Sequence, residues 1–200
     1  MNPLLFVFAA YLLGSVSFGV VMSKAFGLPD PHTYGSGNPG ATNVLRSGKK
    51  LAAALTLLGD AAKGWLPVWL ALHMGLALNW VDAIAAAVFL GHIYPCFHRF
   101  KGGKGVATAF GILLAFSSPV ALCVLATWIA VFVIWRISSL AAIVAGISSV
   151  LYAGFILGWN AQVLAYLVIA AALIWRHQAN IQRLLKGEES GFGNKASKTK

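Results

Sequence analysis

What most constrains this chain is the placement of its cations. Seven apolar stretches, at approximately residues 3–24, 51–74, 81–96, 105–117, 119–135, 139–157 and 161–176, hold only Lys63 in their interiors out of fifteen Lys and Arg residues. A bilayer core of about 30 Å is crossed by roughly 20 apolar residues in helical form. The longer stretches meet that length, and the short third and fourth would tilt or lie buried among the others. The other fourteen cations fall in alternate connections. Residues 24–50 carry Lys24, Arg46, Lys49 and Lys50, and residues 97–104 carry Arg99, Lys101 and Lys104. The bend near 136–138 carries Arg136, and the segment from 176 carries Arg176, Arg183, Lys186, Lys195, Lys198 and Lys200. The intervening connections at 75–80, 117–119 and 158–160 carry none. Cations accumulate in cytoplasmic loops. The alternation therefore predicts an all-α membrane protein of about seven transmembrane helices, with its N-terminus outside and its C-terminus cytoplasmic. A five-span version, with two short segments folded back, keeps the same sidedness.

Composition agrees. Apolar residues make up 59% of the chain and charged residues 10%, against about 45–50% and about 25% in soluble domains. A water-soluble enzyme and a disordered chain are both excluded. The first stretch has no basic n-region and no small-residue cleavage site leading into a soluble domain, so it is expected to be a span and not a cleaved leader. Residues 1–186 are expected to form a single helical domain, and 187–200, polar and basic, a solvated flexible tail. Cys96 and Cys123 fall near opposite faces and are not expected to pair. The net charge of +10, with only Asp30, Asp60, Asp82, Glu188 and Glu189 as acids, calls for an anionic partner: nucleic acid, lipid headgroups or phosphorylated small molecules. Basic residues scattered among membrane loops argue against nucleic acid.

Three cytoplasmic segments carry candidate chemistry. In the first, four of the six residues 35–40 are Gly or Pro. Such turns point successive backbone N–H groups at an anion. Ser36, Asn38, Thr42 and Asn43 add neutral donors, and Arg46 adds a two-pronged phosphate fork. No Gly-Lys-Ser/Thr ends the loop, so it is not a Walker A loop. The second, Lys101-Gly102-Gly103-Lys104-Gly105, is a cationic turn running into an apolar helix, whose N-terminus adds positive dipole. In the third, helical spacing puts Arg176, Asn180 and Arg183 on one face, with His177 three residues before Asn180. Ser138, Ser139 and Arg136 share the remaining cytoplasmic bend. Asp60 and Lys63, three apart inside the second stretch, read either as a functional site or as a mutually neutralising ion pair.

Metal ligands do not cluster, and neither metal nor cofactor is expected. There is no His-x-x-x-x-Asp pair and no Gly-x-Ser-x-Gly elbow. Phosphate-binding groups are plentiful and acid–base groups scarce. That balance fits transfer from an already activated substrate by positioning and charge stabilisation.

Gly35-Ser36-Gly37-Asn38-Pro39-Gly40-Ala41-Thr42-Asn43, Gly91-His92 with Lys101-Gly102-Gly103-Lys104-Gly105-Val106-Ala107, and Arg176-His177 with Asn180-Ile181 and Arg183 together resemble the three signature segments of the PlsY family, bacterial membrane glycerol-3-phosphate acyltransferases that use acyl phosphate. The likeness extends to about residue 185. It implies a bacterial inner-membrane protein, multi-pass, with its active site facing the cytoplasm. It implies acyl transfer from acyl phosphate to the 1-hydroxyl of glycerol 3-phosphate, giving lysophosphatidic acid and inorganic phosphate. By the same likeness Ser36, Arg46 and Lys104 hold the glycerol 3-phosphate phosphate, while His177 and Asn180 orient its glycerol end. Gly37, Asn38, Gly40, Ala41, Thr42 and Asn43, with Lys101, Gly102, Gly103, Lys104, Ser139 and Arg183, complete the substrate-binding set. The alternative is a transporter of an organophosphate or other anion, motivated by Asp60 and Lys63. Against it, the polar motifs crowd one face and no internal repeat is visible.

Overall fold

The computed structural model describes residues 2–191, and every regular element among them is helical. The chain packs as two compact units, Met1–Ser118 and Pro119–Lys200.

The first unit contains α1 (Pro3–Ser15), α2 (Phe18–Ala25), the short α3 (Ala41–Leu45), α4 (Lys50–His73), α5 (Leu78–Ile93), a 3-10 turn (Cys96–His98) and α6 (Val106–Phe116). Its helices meet backbone to backbone. A methyl group at Gly14 of α1 would overlap the carbonyl of Val88 on α5, and one at Gly91 of α5 would overlap that of Tyr11 on α1. Gly64 of α4 and Gly111 of α6 sit in the same way against Thr108 O and Ala61 O. Close approach through small residues is how helices associate without a hydrophobic drive between them. Val81, Ile84, Ala85 and Val88 complete the interior along α5.

The polarity of this unit is inverted relative to a soluble domain. Leu4, Leu5, Phe8 and Leu58 are exposed, while Thr56, Asp60, Lys63, His92 and Thr108 are buried. An apolar exterior around a polar interior suits lipid as solvent.

The first stretch departs from the expected single span. It bends by 45° between α1 and α2. The Val16 N–H turns back to Leu13 O, and the Ser17 hydroxyl accepts from Val20 N–H to start α2. The carbonyl that the break frees, Val16 O, accepts a hydrogen bond from Lys63 Nζ at 2.6 Å.

The second unit holds α7 (Ser118–Trp135), α8 (Ser138–Leu157), α9 (Val163–Arg176) and α10 (Gln178–Leu185). Ala141, Ala142 and Ala145 of α8 are buried, as are Tyr166, Ile169, Ala170 and Leu173 of α9. Thr127 and Tyr152 link α7 to α8 through their hydroxyls at 2.9 Å. The expected continuous face from Arg176 to Arg183 is interrupted. His177 closes α9 and opens α10, so Arg176 lies on one helix while Asn180 and Arg183 lie on the next.

Among the described residues three helical segments are long and apolar enough to cross a membrane, Leu78–His98, Ser118–Trp135 and Ser138–Leu157, and the bent pair α1–α2 makes a fourth where it is counted as one span. α4 is long but carries Asp60 and Lys63. α6 and α9, at 11 and 14 residues, rise only about 16 and 21 Å.

Candidate active site

In the first unit the glycine-rich loop is folded around one amide. Asn43 is buried, and its Oδ1 accepts from Ser36 N–H at 2.9 Å. Its Nδ2 donates to Pro31 O at 2.8 Å and to Tyr34 O at 3.1 Å. Asn43, expected among the donors to a ligand, thus commits both ends of its amide to the loop itself. The neighbouring Val44 anchors α3 in a cluster with Ala52, Ala53, Met22, Phe26, Leu28 and Leu45. These two contacts place the rest. Ser36 is exposed at the tip, and Arg46 is exposed at the end of α3. Gly35 has φ +58°, and a methyl group there would strike Asn43 Oδ1 and come within 3.2 Å of an Arg46 guanidinium nitrogen. Only glycine lets Arg46 fold back over the loop. Gly37 turns at φ +66°. Asn38, with its amide beside Gly40, is half-buried, as are Ala41 and Thr42 at the start of α3.

The second turn is approached through strained backbone. Arg99 and Phe100 both have positive φ, at 51° and 60°, a conformation costing about 1–2 kcal/mol per non-glycine residue. Hydrogen bonds from Phe100 N–H to Pro95 O and from Lys101 N–H to His98 O hold it. Lys101 is exposed, Gly102 and Lys104 are half-buried and Gly103 is buried. The turn rests on His92, whose carbonyl accepts from Gly103 N–H at 3.1 Å. A methyl group at Gly103 would overlap the His92 ring. His92 is therefore a structural partner of the turn that motif spacing alone did not identify.

The two loops touch through His32. Its Nδ1 lies 2.7 Å from Asp30 Oδ1, and its Nε2 lies 3.3 Å from Lys101 O. The His32 backbone N–H beside Asp30 is the main cause that holds the Asp30 carboxyl below its ordinary range.

In the second unit the organiser is a carboxylate. Glu189 Oε1 accepts from Ser139 Oγ at 2.6 Å and from Asn180 Nδ2 at 2.5 Å, and Oε2 accepts from Arg183 Nε at 2.6 Å. Partial burial by itself would push the Glu189 carboxyl up. The hydrogen bonds from Ser139, Asn180 and Arg183, with the Arg183 charge, outweigh it and hold the group below the usual glutamate range. Ser139, Asn180 and Arg183 are thus brought together, through a residue that falls in the expected tail. That tail is described only to Gly191; within it Glu189 is docked, and residues 192–200 lie outside the described residues. The one hint in sequence was an acid in a chain with five. His177 is buried, and its Nδ1 donates to Leu173 O at 2.8 Å. A carbonyl can only accept, so this contact fixes Nδ1 as the protonated nitrogen.

Asp60 and Lys63 form the ion pair, at 2.8 Å, with both side chains almost fully buried. The charges that motivated a transport function thus neutralise each other.

The chain has relatives matched along nearly its whole length. The sequence profile of the family described as glycerol-3-phosphate acyltransferase matches residues 4–187. A glycerol-3-phosphate acyltransferase of Methylobacillus flagellatus is 61% identical over 196 residues, covering 98% of this chain and all of the relative. One from Cupriavidus pinatubonensis is 57% identical over 199 residues, covering 98% of each chain. The crystal structure of PlsY (YgiH), an integral membrane glycerol 3-phosphate acyltransferase in its glycerol 3-phosphate form, superposes with a TM-score of 0.91 at 42% identity over 96% of both chains. Its lysophosphatidic acid form gives 0.90 over the same shares. With one profile spanning all three polar segments and relatives matched nearly end to end, this chain belongs to the glycerol-3-phosphate acyltransferase family.

Proposed function

We propose that this protein transfers a fatty acyl group from acyl phosphate to the 1-hydroxyl of sn-glycerol 3-phosphate, releasing 1-acyl-glycerol 3-phosphate and inorganic phosphate, the first step of phospholipid synthesis. The observation that carries the reading is the pair of glycine-rich, cationic loops joined through His32 and Lys101, in a chain 42% identical to a PlsY structure that exists in glycerol 3-phosphate and lysophosphatidic acid forms.

Ser36, Arg46 and Lys104 bind the phosphate of glycerol 3-phosphate, and His177 and Asn180 orient its glycerol end. The backbone from Gly37 to Thr42, with Lys101, Gly102, Gly103 and Lys104, receives the acyl-phosphate headgroup, while Ser139, whose hydroxyl hydrogen goes to Glu189, serves by holding that carboxylate. Arg183, its charge paired with Glu189, helps to hold the carboxylate that positions Asn180. Asn43 serves by shaping the loop. The 1-hydroxyl oxygen attacks the carbonyl carbon of the mixed anhydride, and an ester C–O bond forms as the carbonyl–phosphate C–O bond breaks. The hydroxyl proton passes to a substrate phosphate, and Lys104 stabilises the charge of the phosphate that leaves. No acyl-enzyme is required, because the anhydride is already activated. The alternating cations support seven spans with the N-terminus outside and the loops at the cytoplasmic face of a bacterial inner membrane. In that topology α4 crosses as a span whose charges are paired, and the short α6 and α9 cross within the thickness that neighbouring helices cover.

The test is inorganic phosphate release by purified protein given glycerol 3-phosphate with palmitoyl phosphate, and in parallel with palmitoyl-CoA. The expected result is phosphate release with the acyl phosphate, dependent on glycerol 3-phosphate and matched by lysophosphatidic acid, and neither free CoA nor lysophosphatidic acid formed from palmitoyl-CoA. Equal turnover of palmitoyl-CoA, or a covalent acyl-enzyme trapped in mass spectrometry, would overturn the donor or the direct attack.

A further inference from the structure

The buried charges of the first unit lie in a line of contacts whose ends touch the backbone supporting each glycine-rich loop. At one end Lys63 Nζ holds Val16 O, the carbonyl opened by the bend between α1 and α2, and lies 6.0 Å from the centroid of the Phe18 ring. Next to Phe18, Gly19 is pressed against the first loop, where a methyl group would overlap Pro39 O. In the middle, Lys63 meets Asp60 Oδ1, and that same oxygen lies 3.7 Å from His92 Nδ1. Thr108 Oγ1, from the start of α6, approaches His92 Nδ1 at 3.0 Å. At the other end the His92 carbonyl and ring form the seat of Gly103. The order is therefore Pro39 against Gly19, the backbone of the bend from Gly19 to Val16, then Lys63, Asp60, His92 and Gly103.

We propose that Asp60, Lys63 and His92 act as a buried strut that fixes the spacing of the two phosphate-binding loops, with His92 the positioning residue of the Lys101–Gly105 turn. The phosphate-binding role of the loops rests on the function proposed above. A buried ion pair adds little net stability over an apolar pair of the same volume. Its distinctive property is direction: Lys63 reaches the bend carbonyl, and the Asp60 carboxylate stands 3.7 Å from the imidazole, an electrostatic contact that apolar side chains cannot make. His92 supports the turn with two different groups at once, an acceptor for the Gly103 N–H and a ring that occupies the place of a side chain at 103. Two phosphate-bearing substrates must meet within a few tenths of an ångström of reacting geometry, so the separation of their cradles is the quantity such a strut would control.

The experiment compares wild type with the double variant Asp60→Asn/Lys63→Met, which removes both charges without leaving one buried alone. Five quantities are measured: KM for glycerol 3-phosphate, KM for palmitoyl phosphate, kcat, amide hydrogen exchange over 99–105 and 36–44, and the thermal midpoint in detergent. The expected result is an increase of about tenfold in at least one KM, with faster exchange at Gly103 in protein that remains folded. A role confined to stability would lower the midpoint while leaving both KM values and the exchange of the turn unchanged, and that result overturns the strut. If the double variant does not fold, Thr108→Val decides, since it leaves the ion pair intact and removes one hold on His92. It should raise the same KM and speed exchange at Gly103, and no change in either would overturn the proposal. If wild type transfers no acyl group, the proposed function fails by itself, and the exchange measurement still decides whether the strut holds the loops.

Discussion

The loops of the first unit and the cluster at the end of the second are organised by opposite means. Around Ser36 and Arg46 the organiser is Asn43, a neutral amide with three hydrogen bonds inside the loop. Around Asn180 and Arg183 it is Glu189, a carboxylate that also reaches Ser139. A neutral organiser shapes the backbone and leaves the positive charge of Arg46 intact for an anion. A charged organiser offsets the guanidinium it holds. The comparison teaches that phosphate affinity should reside mainly in the first region, while the second supplies orientation and is the more sensitive to pH.

The strongest way to break this comparison is to remove the cations of the first region. Arg46→Ala and Lys104→Ala should each lower phosphate release by about 100-fold or more while the protein remains folded in detergent. Near-normal turnover in either variant removes that residue from the site. A smaller but still large effect is expected from the organiser. Asn43→Ala deletes three hydrogen bonds and leaves two buried carbonyls without their donor, at about 1 kcal/mol for each bond. Activity should fall by tens of fold, and amide exchange over 31–46 should accelerate. Asn43→Asp should not rescue, because it restores the acceptor for Ser36 N–H and neither donor.

The second region is tested through its charge. Glu189→Gln keeps the shape but has one acceptor oxygen where the carboxylate has two, so either the Arg183 contact or the Ser139 and Asn180 contacts are lost and the rest weakened, and activity should fall by about tenfold. The pH dependence has a definite sign. The folded-state pKa of Glu189 is lowered, so its contribution is complete above the ordinary glutamate value and is lost as pH falls through the lowered one. Exchange over 178–189 should therefore rise on acidification in wild type, and the glutamine variant should lack that transition. Equal acid sensitivity in both would show that Glu189 is not what holds Asn180.

Much of this was legible in the sequence, for a reason that also marks its limit. Helix positions and loop motifs are written locally, as runs of apolar residues punctuated by Gly, Pro and cations, and the structure places α4 to α9 within a few residues of the expected stretches. Features made by distant partners were not legible. The carbonyl freed at the Val16 bend is met by Lys63, 47 positions away, a partner that the local Gly14-Ser15-Val16-Ser17 run does not announce. Glu189 lies among Gly, Ser and Lys, and its docking depends on Ser139, 50 positions away. Asn43 was legible as a polar residue in a binding loop, but composition does not say whether an amide faces a ligand or its own backbone.

The smallest expected effect sharpens the comparison from the other side, because the first region also contains a carboxylate. Asp30 accepts from the His32 backbone N–H at 2.9 Å and meets the His32 ring, and its folded-state pKa is lowered chiefly by that backbone bond. Its contribution, like that of Glu189, is full above the ordinary aspartate value and fades as pH falls through the lowered one. The two acids differ in exposure: the Asp30 side chain is 54% exposed, whereas that of Glu189 is 9% exposed. Solvent screening limits an exposed pair to roughly 0.2–1 kcal/mol. The largest cause, moreover, survives in an asparagine, whose side-chain oxygen still accepts the His32 N–H. Asp30→Asn should therefore change the thermal midpoint by about a degree or less and each KM by less than about twofold. A large rise in KM would mean that the bond from His32 to Lys101 depends on the Asp30 charge. The first region would then have a charged organiser of its own, and the contrast between an amide-built and a carboxylate-built cluster would fail where it is most exposed to measurement.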